Sequence, residues 1–133
     1  MILIDAKDQV LGRLASEVAK LVLNGETVNV VNAEKAVITG SPEMIFKEFR
    51  VKRARGDPYH GPFYPRSPEM IFKRTVRGML PYRTTRGGQA FKRFKAFISI
   101  PAGFQGKEFT VIEGTKNKGE HKFATLAKVS ERL

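Results

Sequence analysis

The pattern that most constrains the fold is an apolar run, a helical segment and a second apolar run at the start of the chain. Residues 2–4 are apolar and end at Asp5, which is typical of a short buried strand. Apolar residues then recur at helical spacing over 11–22, and Gly25 favours a helix end soon after. The next run, Val28–Val31, predicts a second strand. A helix between two strands opens a βαβ unit with parallel strands, so we expect an α/β fold.

Two later helix starts share the same sequence. Ser41 and Ser67 are each followed by the residues Pro-Glu-Met-Ile-Phe-Lys. Ser at the N-cap, Pro at the first helical position and Glu in the first turn each favour a helix. The second of these helices is predicted to bury one apolar arc, made by Ile71, Phe72, Val76 and Met79. Its opposite side carries three cations, Lys73, Arg74 and Arg77.

The remaining elements are predicted from shorter patterns. Asp8 is expected to cap the first helix by accepting hydrogen bonds from amides of its first turn. Short strands are expected at 36–39, 96–100 and 109–112, and a last helix over 124–133.

All of the surplus positive charge lies in one stretch of the chain. Residues 47–95 hold 14 of the 24 Lys and Arg but only 3 of the 13 Asp and Glu, which accounts for the whole net charge of +11. A neutral body with one cationic segment indicates a polyanionic partner, and nucleic acid is favoured. An anionic membrane is the competing partner, but these cations alternate with Gly, Pro and turns instead of flanking a broad apolar face.

Two segments of this stretch are both basic and aromatic. Residues 55–66 contain two Gly and three Pro, which predicts an extended loop ordered against the rest of the fold. Residues 82–95 are predicted as a second basic loop that leads into a short helix. The aromatic residues among the cations are Tyr59, Phe63, Tyr64 and Tyr82. Such rings can stack on unpaired bases, although Phe63 and Tyr64 are equally compatible with anchoring the loop in the core.

The basic and aromatic side chains of this stretch are therefore the candidate nucleic-acid site. The predicted RNA-binding residues are Arg50, Lys52, Arg53, Arg55, Tyr59, His60, Arg66, Lys73, Arg74, Arg77, Arg83, Arg86, Lys92, Arg93 and Lys95. Arg predominates in the central part, and its planar guanidinium matches phosphate oxygens better than a Lys ammonium does. A solvated charge run is the usual alternative, but the neutral remainder of the chain argues against it.

Little in the sequence supports catalysis or a cofactor. There is no Cys, which excludes disulfides, Cys-bound zinc and thiol nucleophiles. His60 and His121 lie in segments predicted to be exposed, where contact with phosphate or bases is favoured over general-base catalysis. The first strand–helix turn lacks the three glycines of a dinucleotide site, and no GxxxxGK[ST] loop occurs. We expect no cofactor, metal or small-molecule substrate. An RNA-modifying or nucleotide-using enzyme on the same α/β body is the alternative.

The chain also lacks signals for membranes or export. Its apolar runs are only a few residues long, so none could span a bilayer, and its first residues do not resemble a signal peptide. A cytoplasmic location is the expectation.

One long stretch carries a resemblance to a known family. The sequence GPFYPRSPEMIFKRTVRGMLPYRTTRGGQAFKRF at 61–94 resembles the L-thirteen family of large-subunit ribosomal proteins. RTVRGMLP at 74–81 is highly specific to that family, and LGRLAS at 11–16 and VVNAEKAVITG at 30–40 extend the match. These motifs resemble those of the archaeal and eukaryotic branch of the family. The absence of a long C-terminal extension favours an archaeal source. Residues 101–133 match only weakly.

The resemblance implies a three-layer α/β/α fold with a central, mainly parallel four-stranded sheet. It implies a single domain over residues 1–133, with the basic segment 47–95 inserted between sheet strands. It further implies a structural constituent of the large ribosomal subunit that binds large-subunit ribosomal RNA, adjoins other ribosomal proteins and aids assembly, without catalysis. A second role as an extra-ribosomal translational regulator stays open.

Overall fold

The computed structural model describes residues 1–110, 112, 114–117 and 122–133. The strands of these residues are β1 (Ile2–Asp5), β2 (Val28–Val31), β3 (Val37–Thr39), β4 (Phe94–Ala96) and β5 (Phe123–Thr125). The α-helices are α1 (Leu11–Leu23), α2 (Pro42–Ala54), α3 (Pro68–Gly78), α4 (Thr85–Lys92) and α5 (Leu126–Glu131). Short 3-10 helices occur at Ala33–Lys35 and Ala102–Phe104. In chain order, α2, α3 and α4 therefore lie between β3 and β4.

The opening β1–α1–β2 unit is parallel, and a third parallel strand is added beside it. The strand order is β1-β2-β4, with Ile4 beside Val30 and Val30 beside Ala96. All four residues of the central strand β2 are buried, as is usual for the apolar strands of a parallel sheet. The predicted βαβ opening, the α/β class and the mainly parallel sheet are confirmed.

The other strands are arranged differently from the expected four-stranded sheet. β3 and β5 pair antiparallel in a separate two-stranded sheet, with Val37 opposite Thr125. Beside the free edge of β1, the backbone N–H of Thr110 donates to the carbonyl of Leu3 at 2.7 Å. The segment predicted as a strand at 109–112 thus approaches this edge without forming a strand in its described part. Val111 lies outside the described residues.

The strand predicted at 96–100 lies two residues earlier, at Phe94–Ala96. Phe97 still donates from its backbone to the carbonyl of Val30 at 2.8 Å, and the chain then turns away. Ser99 has a φ of 56°, which is incompatible with a strand. Its backbone N–H donates to the Glu34 carboxylate at 3.0 Å. Residues 97–100 therefore bend at the carboxyl end of β2, where Asn32 and Ala33 donate to the carbonyls of Ser99 and Phe97, which periodicity alone does not reveal.

The first helix starts without the predicted Asp8 cap. Its N-cap residue is Val10, which makes no side-chain capping bond, whereas Asp8 occupies a turn with a φ of 60°. Gln9 and Val10 form single β-bridges to Lys116 and Val37, so the chain stays extended until Leu11. Tertiary pairing of this segment thus replaces the local cap.

The later helices follow their sequence signals more closely. Ser41 and Ser67 occupy the N-cap positions and a Pro follows each, as predicted, although neither serine side chain makes a capping hydrogen bond. The last helix begins at Leu126 instead of residue 124, because the preceding residues pair with β3. Within the described ranges, no helix is long and apolar enough to cross a membrane.

Both faces of the parallel sheet are covered. On one face, Val28, Val30 and Phe94 pack with α1 and α3 in the main core, and the Phe94 ring lies 5.9 Å from that of Phe72. On the other face, Leu3, Asn29 and Val31 are also buried. A sheet buried on both sides is what a layered α/β fold requires.

Helix α3 is anchored by one side only. Ile71, Phe72 and Val76 are completely buried, as predicted. Met79 was predicted to share this arc but is 43% exposed, because the helix ends at Gly78 and Met79 is its C-cap residue. The opposite side of α3 faces outward with its three cations.

Candidate nucleic-acid interface

Helices α2 and α3 bring cations together over a shared tyrosine. The Nζ of Lys52 lies 5.9 Å from the centre of the Tyr64 ring, and the guanidinium carbon of Arg74 lies 5.8 Å from it. Tyr64 itself is half-buried and packs edge-on against Phe49, with 6.0 Å between ring centres. Burial raises the pKa of Tyr64. Its role as a loop anchor is thereby decided, and its ring also links cations from two helices.

A second tyrosine links α3 to the turn that follows it. The guanidinium of Arg77 lies 4.4 Å from the centre of the Tyr82 ring, and that of Arg83 lies 5.8 Å from it. Hydrogen bonding from Arg77, then from Arg83, together with their positive charges, lowers the pKa of Tyr82. The ring therefore lies between two cations that both favour its ionised form.

Helix α4 contributes a third ring. The Nζ of Lys73 lies 5.4 Å from the centre of the Phe91 ring. Lys73, Arg74 and Arg77 project from the same outer side of α3, so the three rings connect cations from α2, α3 and the following turn. We call this surface the cationic face; its cations are Lys52, Lys73, Arg74, Arg77 and Arg83.

No carboxylate of the described residues lies within 4.0 Å of a cation of the cationic face. In the described part of the chain, the ion pairs within 4.0 Å are Lys20 with Glu17 and His60 with Asp57. Neither involves a Lys or Arg of residues 47–95. Uncompensated cations held close together produce a strong local positive potential, which is the electrostatic requirement for binding a polyanion.

A second basic cluster surrounds the carbonyl of Leu133. Arg53 donates to this carbonyl at 2.9 Å, Arg66 donates to it as well, and Ser130 Oγ donates to the carbonyl of Arg66 at 2.7 Å. Arg66 is the last residue of the loop 55–66, and Arg53 lies in α2, two residues before the loop begins. Leu133, which follows α5, therefore joins the two sides of that loop.

This cluster includes a residue that sequence reasoning missed. Arg132 lines a cavity of about 340 Å³ together with Arg50 and Arg53, and its guanidinium lies 4.6 Å from the ring of Phe46. The contact depends on α5 packing beside α2, which is a long-range feature with no local sequence signal.

The loop 55–66 carries a tightly closed tip. Asp57 and Gly61 exchange two backbone hydrogen bonds, of 3.1 and 2.9 Å. At Gly56, which has a φ of 90°, a Cβ would lie 2.0 Å from the Gly61 carbonyl oxygen, so only glycine fits. Tyr59 and His60 are at this tip, where both are exposed.

One carboxylate organises the tip. Asp57 accepts a hydrogen bond from the backbone N–H of Tyr59 at 3.0 Å and lies 3.1 Å from Nδ1 of His60. These two hydrogen bonds lower the pKa of Asp57. Exposure of His60 is as predicted, whereas His121 lies outside the described residues.

The second basic segment is more helical than predicted. Thr84 Oγ1 accepts a hydrogen bond from the backbone N–H of Gly87 at 3.2 Å and so caps α4. A Cβ on Gly87 would lie 1.9 Å from the carbonyl oxygen of Pro81, so α4 can approach the preceding turn only with glycine there. The exposed residues Arg86 and Lys92 project from this helix.

Two of the predicted binding residues lie away from the cationic face. Arg93 is half-buried and donates to the carbonyl of Val22 at 2.8 Å, which gives this carbonyl in the last turn of α1 a charged donor beside the backbone N–H of Gly25 at 3.2 Å. Lys95 alternates with Phe94 and Ala96, whose side chains enter the main core, so it projects from the opposite sheet face. The structure therefore places these two residues outside the cationic face.

A cavity of about 370 Å³ lies at the carboxyl end of β1, the place where an α/β enzyme would hold a ligand. Asp5, Lys7 and Asp8 are among its lining residues. Asp5 Oδ1 already accepts hydrogen bonds from the Lys7 backbone at 2.9 Å and from Asn32 Nδ2 at 3.0 Å. Among the described residues, no group of three His, Asp or Glu could hold a metal ion.

Comparison with known proteins gives a consistent result. The sequence model of the family described as Ribosomal protein L13 matches residues 1–102. Large ribosomal subunit protein uL13 of Archaeoglobus fulgidus is 50% identical over 133 residues, which cover 98% of this chain and 85% of the relative. The uL13 proteins of Methanococcoides burtonii and Methanopyrus kandleri are 47% and 48% identical, covering 100% and 98% of this chain and 97% and 84% of their own lengths. These relatives are archaeal, which confirms the archaeal type of the resemblance. They also match almost the whole chain, including most of 101–133.

Proposed function

The chain belongs to the ribosomal protein L13 family, and we propose that it is a structural constituent of the large ribosomal subunit in the cytoplasm. Its proposed partner is large-subunit ribosomal RNA, bound through the cationic face. The relatives support the first part, since they are named as proteins of that subunit. The uncompensated charge of the cationic face supports the second. We further propose that residues 1–133 act as one RNA-binding domain without catalytic activity.

One observation carries the RNA-binding proposal. Cations from α2, α3 and the following turn share the rings of Tyr64 and Tyr82, and no carboxylate pairs with them among the described residues. Contacts with aromatic rings hold the cationic side chains in place without cancelling their charge. The face can therefore neutralise closely spaced phosphates of folded RNA that would otherwise repel one another.

The other predicted residues are proposed to extend this surface. Arg50 and Arg53 lie in the last turns of α2, Arg55 and Arg66 lie at the ends of the loop 55–66, and Tyr59 and His60 lie at its tip. Arg86 and Lys92 extend it along α4. If the whole surface contacts about 6–10 phosphates, affinity should fall by about 10³–10⁵ between about 50 and 200 mM salt, by analogy with duplex DNA.

Charge reversal on α3 tests the proposal. In the variant Arg74→Glu with Arg77→Glu, two charge-assisted contacts of about 1.5–3 kcal/mol each would be lost, so affinity for a large-subunit ribosomal RNA fragment should fall at least about 100-fold. The thermal midpoint should stay nearly unchanged, because both side chains project away from the core. Filter-binding titration and thermal unfolding measure the two quantities.

A matched control separates site from net charge. Arg13→Glu with Lys20→Glu makes the same change in net charge on exposed positions of α1. This variant should retain most of its RNA affinity. Equal losses in the two variants would show that total charge, and not the cationic face, determines binding.

The enzyme alternative makes a different prediction. A nucleotide-using enzyme would place its ligand in the cavity at the carboxyl end of β1 and would exist as a pool outside the ribosome. We expect stoichiometric migration with large subunits when a cell lysate is fractionated on a sucrose gradient. A separate pool whose melting temperature rises with added nucleotide would favour the enzyme. A free pool without nucleotide response would favour an extra-ribosomal regulator.

A further inference from the structure

A small cavity lies within the cationic face, between the loop 55–66, α3 and α4. Its volume is about 250 Å³, which is below the range of about 300–1,000 Å³ found for sites of drug-sized ligands. The side chains that line it include Phe63, Met70, Phe91, Lys73, Arg74 and Arg77. By its volume the cavity has room for one flat ring system, and three of its lining side chains are cations.

The ring of Phe63 is exposed to solvent, and neighbouring residues restrict the backbone that carries it. Phe63 is 72% exposed, whereas its neighbour Tyr64 is half-buried against Phe49. Pro residues precede Phe63 and follow Tyr64, which restricts the backbone on both sides. The Phe63 ring also lies over Gly61, where a Cβ would be 3.1 Å from it. An exposed ring with so little freedom loses little conformational entropy when it binds a partner.

The chemistry of the cavity favours a nucleobase as its occupant. Phe63 and Phe91 offer aromatic surfaces, and stacking on such rings is the usual way that proteins hold unpaired bases. The three cations among the lining side chains are complementary to the phosphates on either side of an extruded nucleotide. An apolar side chain from a neighbouring protein would instead desolvate these cations without compensating them.

We propose that this cavity receives one unpaired base turned out of the RNA that the cationic face binds. The proposal rests on the proposed function and adds to it a site for a single base. Phosphate contacts then supply most of the affinity, whereas the base contact lets the protein distinguish RNA with an unpaired nucleotide from a continuous duplex.

Three RNA duplexes of equal length test this site: one fully paired, one with a single bulged adenosine, and one with an abasic nucleotide at the bulge. At a fixed low ionic strength, the wild-type chain should bind the adenosine bulge about 5- to 100-fold more tightly than the other two, the range expected for stacking of one base. Phe63→Ala should lose this preference and bind all three equally. Because Phe63 is exposed, the variant should keep its fold, which circular dichroism and thermal unfolding can verify.

Phe123→Ala is the matched control. Phe123 has the same ring, is 43% exposed on β5, is not among the residues proposed to bind RNA and does not line the cavity. Its variant should retain the preference for the bulge. If the wild-type chain binds all three duplexes with equal affinity, or if Phe63→Ala retains the preference, the base site is wrong while RNA binding stands. If the wild-type chain binds none of them, the proposed function fails together with the base site.

Discussion

Arg74 and Arg93 belong to the same basic stretch of the sequence, yet their guanidinium groups have different partners. Arg74 is exposed on α3, with its guanidinium carbon 5.8 Å from the centre of the Tyr64 ring. Arg93 is half-buried and donates to the carbonyl of Val22 at 2.8 Å. A ring contact keeps the N–H donors of Arg74 available for phosphate oxygens, whereas Arg93 already uses one of them within the protein.

The difference shows that a charge count overstates the size of a binding site. Arg53 and Arg66 resemble Arg93, since both donate to the carbonyl of Leu133. Such arginines still contribute positive potential, but part of their hydrogen-bonding capacity stabilises the fold. The cationic face differs because its side chains are positioned mainly by aromatic rings.

The largest effect is expected in the core beneath the cationic face. Phe72 is completely buried on the inner side of α3, so Phe72→Ala should lower the free energy of unfolding by about 3–5 kcal/mol through lost packing and a residual cavity. Met79→Ala is the control; this residue is 43% exposed and should cost less than about 0.5 kcal/mol. Urea titration measures both. A small loss for Phe72→Ala would mean that α3 is not anchored by its inner side.

A smaller difference in the free energy of unfolding is expected between variants of Arg93 and of Arg74. Arg93→Met leaves the Val22 carbonyl without its charged donor and should cost about 1.5–3 kcal/mol. Arg74→Met removes no described hydrogen bond and should change the free energy of unfolding by less than about 0.5 kcal/mol. The same denaturant titration measures both free energies of unfolding. Equal costs would mean that Arg93 stabilises the fold no more than Arg74 does.

RNA affinity should depend more on Arg74 than on Arg93, the reverse of their order in stability. Arg74→Met should reduce the slope of log affinity against log salt concentration by roughly one unit, as for the loss of one phosphate contact. Arg93→Met should leave the slope unchanged once the protein is folded. Filter-binding titrations over a series of salt concentrations give both values. A reduced slope for Arg93→Met would place this residue in the interface after all.

The smallest effect is a difference between two tyrosines of the cationic face. Tyr82 should ionise at lower pH than Tyr64, because cations lower the pKa of the first and burial raises that of the second. Titration of phenolate absorbance in Tyr64→Phe and Tyr82→Phe variants assigns the two groups. Arg77→Gln should raise the pKa of Tyr82, since it removes the largest cause of the shift.

The two shifts have opposite consequences for stability at high pH. An unfolded tyrosine ionises near pH 10. Just above this value, folded Tyr64 still holds its proton, so stability falls as pH rises. Just below it, folded Tyr82 has already released its proton while the unfolded chain retains one, so its contribution rises with pH. Denaturant titrations of the two Phe variants across this range measure these contributions.

Local sequence patterns predicted the elements whose contacts are local. The first helix, the strand at Val28–Val31 and the inward side of α3 follow from hydrophobic periodicity, and the two Ser-Pro-Glu starts mark α2 and α3. The Asp8 cap and the strand at 96–100 were wrong because tertiary contacts decide both places. The bridges of Gln9 and Val10 and the bond from Ser99 to Glu34 join residues far apart in the sequence.

The candidate site was predictable in composition but not in arrangement. The basic stretch, the aromatic residues and the exposed side of α3 were all visible in the sequence. Sequence reasoning left open whether Phe63 and Tyr64 stack on bases or anchor the loop in the core, because two adjacent aromatic residues in an irregular loop give no periodicity. It could not show that Arg93 bonds within the protein, or that Arg132 belongs to the basic cluster. Both contacts depend on helices that meet only in the folded chain.

The contacts of Leu133 with Arg53 and Arg66, on the two sides of the loop 55–66, have a consequence for synthesis. A chain is made from its N-terminus, so α2 and α3 leave the ribosome that makes them before residues 126–133 do. Until then Arg53 and Arg66 lack the Leu133 carbonyl that joins them. The contacts that join the two sides of this loop therefore form only after the last helix has emerged, later than α2 and α3 themselves.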